Sequence, residues 1–165
     1  SQQALLKAAL VASEVRPATS GSRATATWMG DPIDVALADR YGALFGPPDA
    51  LLAETRRHFP FDMVKRREAG VLANGAEVMF AIKGAWESLR PIVGQIQAGL
   101  DSLIEADEDA LARCDEIVRR SSAGGQRVIA VASRRLERLP DPKAPEESLE
   151  RGLRLCGFLA LDDPI

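Results

Sequence analysis

The sequence contains few of the residues that form common metal and hydrolytic sites. Its 165 residues include one histidine, His58, and two cysteines, Cys114 and Cys156, which lie far apart without a Cys-x-x-Cys pair. Zinc ligation by Cys and His pairs is therefore excluded in practice, and a Ser-His-Asp triad would depend entirely on His58, which lies in a strand-like run. We expect both cysteines to be core thiols of a cytosolic protein.

Motifs for nucleotide phosphates and long apolar runs are also missing. The chain has no GxxxxGK[ST], GxGxxG or GxSxG motif, which excludes a P-loop, a dinucleotide fingerprint and a nucleophile elbow. Its apolar runs are far shorter than the ~20 residues that span a bilayer, and no signal-peptide pattern opens the sequence. We therefore expect a soluble chain that catalyses no reaction by itself.

The charge balance excludes a broad basic surface. There are 21 Lys and Arg residues against 24 Asp and Glu, which gives a net charge of −3. Nucleic acid is therefore not an expected partner, and any anion site must be local. The length is that of one domain with a single well-formed core.

Helical patterns dominate the first part of the chain. Residues 2–15 place apolar side chains at helical spacing, and a Pro/Thr/Ser/Gly-rich stretch at 17–22 predicts a loop. A second helix is predicted after Asp31, a good N-cap, with Pro32 in the first turn and an apolar face that ends before Gly42. The segment FGPPDALLAE predicts a loop and a short helix.

Strand patterns begin near residue 57. RHFPF, AGVLA and EVMFAIKG are β-rich runs separated by a polar KRRE tip and by Asn74-Gly75, a strong hairpin signal. Helices are predicted over 86–98 and 107–121, strands over QRVIAVASRRL and LCGFLALDDPI, and a Pro-rich loop with a short helix between those strands. This order predicts an α+β fold with a largely antiparallel, twisted sheet flanked by helices.

Four short segments carry a family resemblance. They are GDPIDVAL (30–37), FPFDMVKRR (59–67), KGAWE (83–87) and GGQRVIAVASR (124–134). In this order they resemble the nucleotide-binding domain of P-type cation-transporting ATPases, in which the corresponding segments read GDPTExAL, FxFDSxRKRMS, KGAPE and GxRVLAxAxR. The closing GFLALDDPI resembles the segment that returns to the phosphorylation domain. The resemblance extends from about residue 2 to the C-terminus.

The resemblance implies a place within a larger membrane protein. The family inserts this domain into the phosphorylation domain, whose DKTGT, TGD and GDGxND segments do not occur here. Residues 1–165 are therefore expected to be one cytoplasmic domain of an integral membrane pump, with about 160–165 as the return hinge. The implied ligand is ATP as Mg-ATP, with Mg²⁺ held mainly by the phosphorylation domain. The implied partners are the phosphorylation and actuator domains.

The resemblance also assigns six ligand-binding residues. Phe61 is expected to stack on adenine, Lys83 to place an ammonium at the pocket floor, and Gly84 to let the purine approach the backbone closely. Asp34 stands where the family has a glutamate that accepts a hydrogen bond from the adenine amino group. Arg66 and Arg127 are expected at the phosphate end, where guanidinium groups bind oxygens in pairs.

Other positions depart from the family pattern and leave an alternative open. Glu68-Ala69 replaces Met-Ser, which adds a negative charge near the expected pocket, and Trp86 replaces the proline of KGAPE. The alternative is a degenerate domain with a regulatory or interdomain role and little nucleotide affinity. The KGA lysine and the FPFD aromatic resemble Ca²⁺, Mg²⁺, Na⁺/K⁺ or H⁺ pumps. His58 lacks the following proline of the heavy-metal type.

Overall fold

A seven-stranded, mostly antiparallel sheet with helices on both faces forms the centre of the structure. The computed structural model describes residues 1–17, 28–99 and 101–162, and its α+β architecture confirms the predicted fold class. In chain order the helices and strands are α1 (Gln2–Val11), β1 (Val15–Pro17), β2 (Trp28–Gly30), α2 (Pro32–Phe45), α3 (Asp49–Ala53), β3 (Thr55–Asp62), β4 (Arg67–Ala73), β5 (Val78–Gly84), α4 (Trp86–Leu89), β6 (Val93–Gln97), β7 (Leu103–Glu105), α5 (Glu108–Ala123), β8 (Gln126–Leu136) and β9 (Leu153–Asp162).

The strand order of the large sheet is β3-β4-β5-β8-β9-β6-β7. All neighbours pair antiparallel except β6 and β9, which are parallel. Strands β1 and β2 form a separate antiparallel pair. Since β5 and β8 are adjacent, the end of β5 lies beside residues of β8.

The predicted hairpin at Asn74-Gly75 is confirmed. The Asn74 side-chain Oδ1 accepts hydrogen bonds from the backbone N–H groups of Ala76 (2.8 Å) and Glu77 (2.9 Å). This bonding of an Asn side chain to the following backbone is typical of a tight turn. The resulting register places Glu68 directly opposite Lys83.

Apolar side chains form two cores, one on each face of the sheet. Helices α4 and α5 cover one face, where Phe80, Ile82 and Leu89 are buried together. Helices α1, α2 and α3 cover the other face, where Leu10 and Val11 pack with Leu72 of β4 and other buried residues. The side-chain alternation of the strands therefore supplies both cores.

Aspartate side chains cap the starts of α2 and α5, and of these two residues only Asp31 was predicted as a cap. Asp31 caps α2 by accepting a hydrogen bond from the Ile33 backbone N–H (2.9 Å), and Asp107 caps α5 through Ala110 (2.8 Å). Helix α2 continues past Gly42 to Phe45, and α5 ends at a Gly124 cap. The short helix α3 and the final strand β9 are also as predicted.

The helix predicted over 86–98 is wrong. Helix α4 ends at Leu89, a 3₁₀ turn spans Arg90–Ile92, and β6 begins at Val93. Pro91 has no backbone N–H to donate and disfavours continued helix, and the following residues pair with β9 and β7 instead. The predicted polar tip also changes, because Arg67 and Glu68 belong to β4.

Some predictions fall on residues that the structure does not describe, and others concern the two cysteines and possible membrane spans. Most of the 17–22 loop and Asp163 are not among the described residues. Cys114 is buried in the core and Cys156 is half-buried, and both are free thiols. Among the described residues, no helix is both long enough and apolar enough to cross a membrane.

Gly70 provides a test of the packing between α1 and the sheet. A Cβ atom at residue 70 would lie 2.0 Å from the Val11 carbonyl oxygen, whereas one at Gly75 would have no heavy atom within 4 Å. Because the clash is with backbone, we expect Gly70→Ala to lower the free energy of unfolding by about 3 kcal/mol. Gly75→Ala should change it by less than about 0.5 kcal/mol. Urea unfolding of the two variants measures both, and equal midpoints would contradict the packing described.

Candidate functional site

A cavity opens where the start of α2, the β3–β4 turn, the end of β5 and the start of β8 meet. Its volume is about 820 Å³, which lies within the range of roughly 300–1,000 Å³ common for small-molecule sites. The β1–β2 pair forms a further part of its wall. The cavity is thus assembled from segments that are far apart in the sequence.

All six residues assigned by the sequence resemblance line this cavity. The structure brings together Asp34, Phe61, Arg66, Lys83, Gly84 and Arg127. Arg66, Arg127 and Phe61 are exposed, whereas Asp34, Lys83 and Gly84 are buried. The site therefore has a buried floor and an open rim.

A strand irregularity separates Phe61 from Phe59. In a regular strand the two rings would lie on the same face. Phe59 is instead in the core, edge-to-face with Phe80 at a centroid distance of 6.2 Å. The β3–β4 register shifts between Phe59 and Asp62, and Phe61 lines the cavity with 54 % of its surface exposed. The bulge thus leaves Phe61 an accessible aromatic face.

Lys83 forms the centre of the cavity floor. Its Nζ donates to Glu68 Oε1 at 2.5 Å and lies 3.1 Å from Asp34 Oδ1. All three side chains are at most one-tenth exposed. The lysine is therefore not a free cation above a glycine but the shared partner of two buried carboxylates. Such an arrangement is stable only when every charge is paired.

His58 and Glu14 extend this network. The His58 Nε2 lies 2.7 Å from Glu68 Oε2, and its Nδ1 lies 3.9 Å from the Glu14 carboxylate. The backbone N–H of Glu14 donates to Asp34 Oδ2 at 3.1 Å. The only histidine of the chain therefore holds a structural position beneath the cavity.

The two floor carboxylates differ in their protonation energetics. Burial raises the pKa of Asp34 above its usual value, although Lys83 opposes the shift. Burial also acts to raise the pKa of Glu68, but hydrogen bonds from His58 and Lys83 outweigh it and leave that pKa below its usual value. Glu68 is therefore the more firmly ionised partner of the lysine.

Asp34 does more than place a negative charge at the start of α2. It belongs to the first turn of α2, where a carboxylate favours the helix dipole. Its oxygens, however, bind Lys83 and the Glu14 N–H, and only 4 % of the residue is exposed. It joins α2 to the sheet and forms part of the cavity floor at the same time.

Gly84 is required for a reason that the sequence did not reveal. A Cβ atom there would lie 2.4 Å from the Arg66 carbonyl oxygen and 2.8 Å from Arg67 Cα. The glycine therefore allows close contact between β5 and the β3–β4 turn, whatever ligand approaches from the cavity. Its neighbour Ala85 donates a backbone hydrogen bond to the Arg66 oxygen (3.2 Å).

Trp86 and Glu68, two of the departures from the family pattern, have different surroundings. Trp86 is buried in the core, edge-to-face with Phe158 (5.3 Å), and its Nε1 donates to Asp115 (2.6 Å). It does not line the cavity. Glu68 does line it, as does Asp34, which stands where the family has a glutamate.

Several cavity residues were not predicted from the sequence. They are Glu14, Arg16, Met29, Gly30, Asp31, Ile33, Ala85, Val128 and Ile129, whereas Glu68 was expected near the pocket. Those of α2 and β8 flank assigned positions and were within reach of the motifs. Glu14, Arg16 and Met29 come from outside them, and no local pattern signals that they meet the pocket. No group of three or more His, Cys, Asp or Glu among the described residues is arranged to hold a metal ion.

Replacing Glu68 tests the ion-pair floor. In Glu68→Gln, Lys83 keeps only Asp34 as a carboxylate partner, and we expect the free energy of unfolding at pH 7 to fall by about 3 kcal/mol. Because the pKa of Glu68 is lowered in the folded state, its ionised form stabilises the fold above its unfolded pKa, near 4.5. The difference from wild type should therefore shrink as the pH falls below that value.

Urea unfolding at pH 7, 5 and 4 measures this difference. Glu137→Gln is the matched control, since Glu137 is exposed just after β8. A Glu68→Gln deficit that is no larger than the control, or that is constant with pH, would contradict the assigned ion pair.

Comparison with known proteins identifies the family of the chain. A search of curated proteins found no match. The family model described as "P-type ATPase, cytoplasmic domain N" matches residues 1–165. That family forms part of ATP-hydrolysing enzymes, and its N domains generally bind ATP. The subtype of pump is not resolved by this match. The chain belongs to the P-type ATPase cytoplasmic N-domain family.

Proposed function

We propose that this domain binds Mg-ATP by its adenine end in the cavity and presents the γ-phosphate to the phosphorylation domain of its parent pump. The observation that supports this proposal most is that an exposed aromatic ring, a buried polar floor and a cationic rim surround one cavity of about 820 Å³. The family generally binds ATP, which gives the ligand class. The six assigned residues remain proposals for its contacts.

The adenine end would use Phe61 and the floor. A base stacked on an aromatic ring gains roughly 1–3 kcal/mol, and Phe61 has more than half of its surface available. Asp34 and Glu68 are acceptors on the floor, so the purine edge that faces them should carry a donor such as the adenine amino group. Gly84 also lines the cavity.

The phosphate end would use Arg66 and Arg127. Both line the cavity and both are exposed, so a polyphosphate could remain partly in solvent while it contacts them. Guanidinium groups bind phosphate oxygens in pairs, whereas a lysine acts as a point charge. Arg16 also lines the cavity, although its Nη2 already pairs with Glu14 at 3.2 Å.

The contribution of the domain to catalysis would be positioning. An aspartate of the parent's phosphorylation domain would attack the γ-phosphate and form an acyl phosphate, and Mg²⁺, held mainly by that domain, would neutralise charge there. Binding the adenine and orienting the triphosphate converts a bimolecular encounter into a pre-aligned one. The chain by itself should not turn over ATP.

We further propose that the domain is part of a larger membrane protein. Residues 1–165 would be one nucleotide-binding domain on the cytoplasmic side of an integral membrane pump, with about 160–165 as the hinge to the phosphorylation domain. That domain and the actuator domain would be its partners. The KGA and FPFD segments favour a Ca²⁺, Mg²⁺, Na⁺/K⁺ or H⁺ pump.

One observation favours the alternative, a degenerate domain with a regulatory or interdomain role. Lys83 has two carboxylate partners, so its charge is already compensated before any ligand arrives. The floor therefore attracts anions less than a free lysine would. Nucleotide binding then depends on the stack and the rim, and we expect a dissociation constant on the order of 1 mM, about −4 kcal/mol.

An NMR titration distinguishes these two functions. ATP, ADP and AMP should all shift the amide signals around Phe61, Asp34 and Lys83, because the base and not the triphosphate anchors the ligand. Phe61→Ala should weaken ATP binding by about tenfold, which corresponds to the loss of a stack. Met63→Ala is the matched control, since Met63 lies in the same turn, 85 % exposed, without lining the cavity.

Two outcomes would count against nucleotide binding. If ATP at several millimolar leaves this amide cluster unchanged in a folded domain, the degenerate function is favoured. If Phe61→Ala and Met63→Ala bind ATP equally well, the adenine does not stack on Phe61.

A further inference from the structure

Three consecutive basic residues, at the end of the β3–β4 turn and the start of β4, have different surroundings. Arg67 forms a two-pronged ion pair with Glu150, with Nε–Oε1 at 3.2 Å and Nη2–Oε2 at 2.5 Å. Lys65 pairs with Glu147. Arg66, between them, lines the cavity, and no carboxylate of the described residues pairs with its guanidinium. Lys65 and Arg67 are thus paired with carboxylates of residues 147–150, whereas Arg66 lines the cavity.

The Arg66 backbone adopts a conformation that needs external support. Its φ is 61°, the only positive value among the non-glycine residues that the structure describes. Residues other than glycine adopt this left-handed region at a cost, and it persists where surrounding contacts fix it. The Arg66 backbone N–H donates to the backbone carbonyl oxygen of Asp62 (2.6 Å), and the Arg66 carbonyl oxygen accepts a hydrogen bond from the Ala85 backbone N–H (3.2 Å).

Arg67 connects the turn to two other segments. Besides Glu150, its Nη1 donates to the Ser88 backbone oxygen (3.1 Å) and to Ser88 Oγ (3.3 Å). The side chains of Arg67 and Glu150 are only 13 % and 4 % exposed, so the pair is shielded from solvent. A bidentate, buried pair of this kind holds its partners in a fixed geometry. Neither residue lines the cavity.

We propose that the Arg67–Glu150 ion pair is a positioning device for nucleotide binding, which fixes the β3–β4 turn so that Arg66 meets the phosphates of the ligand. The inference rests on the proposed function and adds to it two residues that act at a distance. Arg67 and Glu150 are positioning residues, since they act through the left-handed Arg66.

A second carboxylate, that of Glu146, interacts with Glu150 and determines the pH at which the Arg67–Glu150 pair should be measured. Burial and the charge of Glu150 raise the pKa of Glu146 to about 7, although Lys65 and Arg67 oppose the shift. Its Oε1 is buried without a hydrogen-bond partner in the described part of the chain. As the pH rises through this pKa, Glu146 gains a negative charge that repels Glu150. The Arg67–Glu150 pair is therefore best measured near pH 6.

The test is a double-mutant cycle of Glu150→Gln and Arg66→Ala, with ATP and adenosine as ligands. Glu150→Gln should weaken ATP binding by about threefold to tenfold and leave adenosine binding almost unchanged, because Arg66 serves the phosphates. In the Arg66→Ala background the same substitution should have no further effect on ATP. Without ligand, the backbone NMR shifts of Arg66 in Glu150→Gln should move away from left-handed values.

Glu147→Gln is the control, because it breaks the more exposed Lys65 pair of the same turn. If Glu150→Gln does not fold, Arg67→Lys replaces it, since a lysine keeps the charge without the two-pronged geometry. Equal losses of ATP affinity in both backgrounds, or unchanged Arg66 shifts, would overturn the positioning role. Normal ATP binding in Glu150→Gln overturns this inference alone. A folded wild-type chain that binds no ATP overturns the proposed function with it.

Discussion

The buried ammonium of Lys83 is the interaction on which the rest of the site depends. It lies on β5, and its two carboxylate partners lie on α2 and β4, so one charge joins a helix to two strands. His58 carries the network to β3. Removing Lys83 would leave two buried carboxylates without their shared cation, which costs more than the ion pairs contribute in the intact protein. This network of ion pairs therefore connects the helix and the strands that form the walls of the cavity.

This arrangement divides the cavity into two electrostatic regions. The floor is compensated, with acceptor oxygens around a paired lysine, and is suited to a polar but uncharged group. The exposed arginines lie at the rim, where solvent screens them but where a polyphosphate can reach them. The nucleotide that we propose as the ligand has the matching polarity along its length, with a base at one end and charge at the other.

Close backbone contacts complete the frame. Gly70 lets the end of α1 approach β4, and Gly84 lets β5 approach the turn that carries Arg66. The bulge after Phe59 sends one aromatic ring into the core and leaves the next at the cavity. These features fix where the ligand-facing side chains can lie, and they do so through backbone geometry.

Local signals were sufficient for much of the fold, and the family resemblance supplied the candidate site residues. Asp31 and Asn74 bond to backbone within three residues, so the α2 cap and the hairpin could be predicted, and the motifs identified six of the residues that line the cavity. The helix predicted past Leu89 failed because partner strands distant in sequence outweigh local helical preference. The bulge at Phe61, the pairing of Lys83 with Glu68 and the Arg67–Glu150 contact depend on strand register and on segments up to 83 residues apart. Only the tertiary structure decides them, since each requires two chain segments to be brought together first.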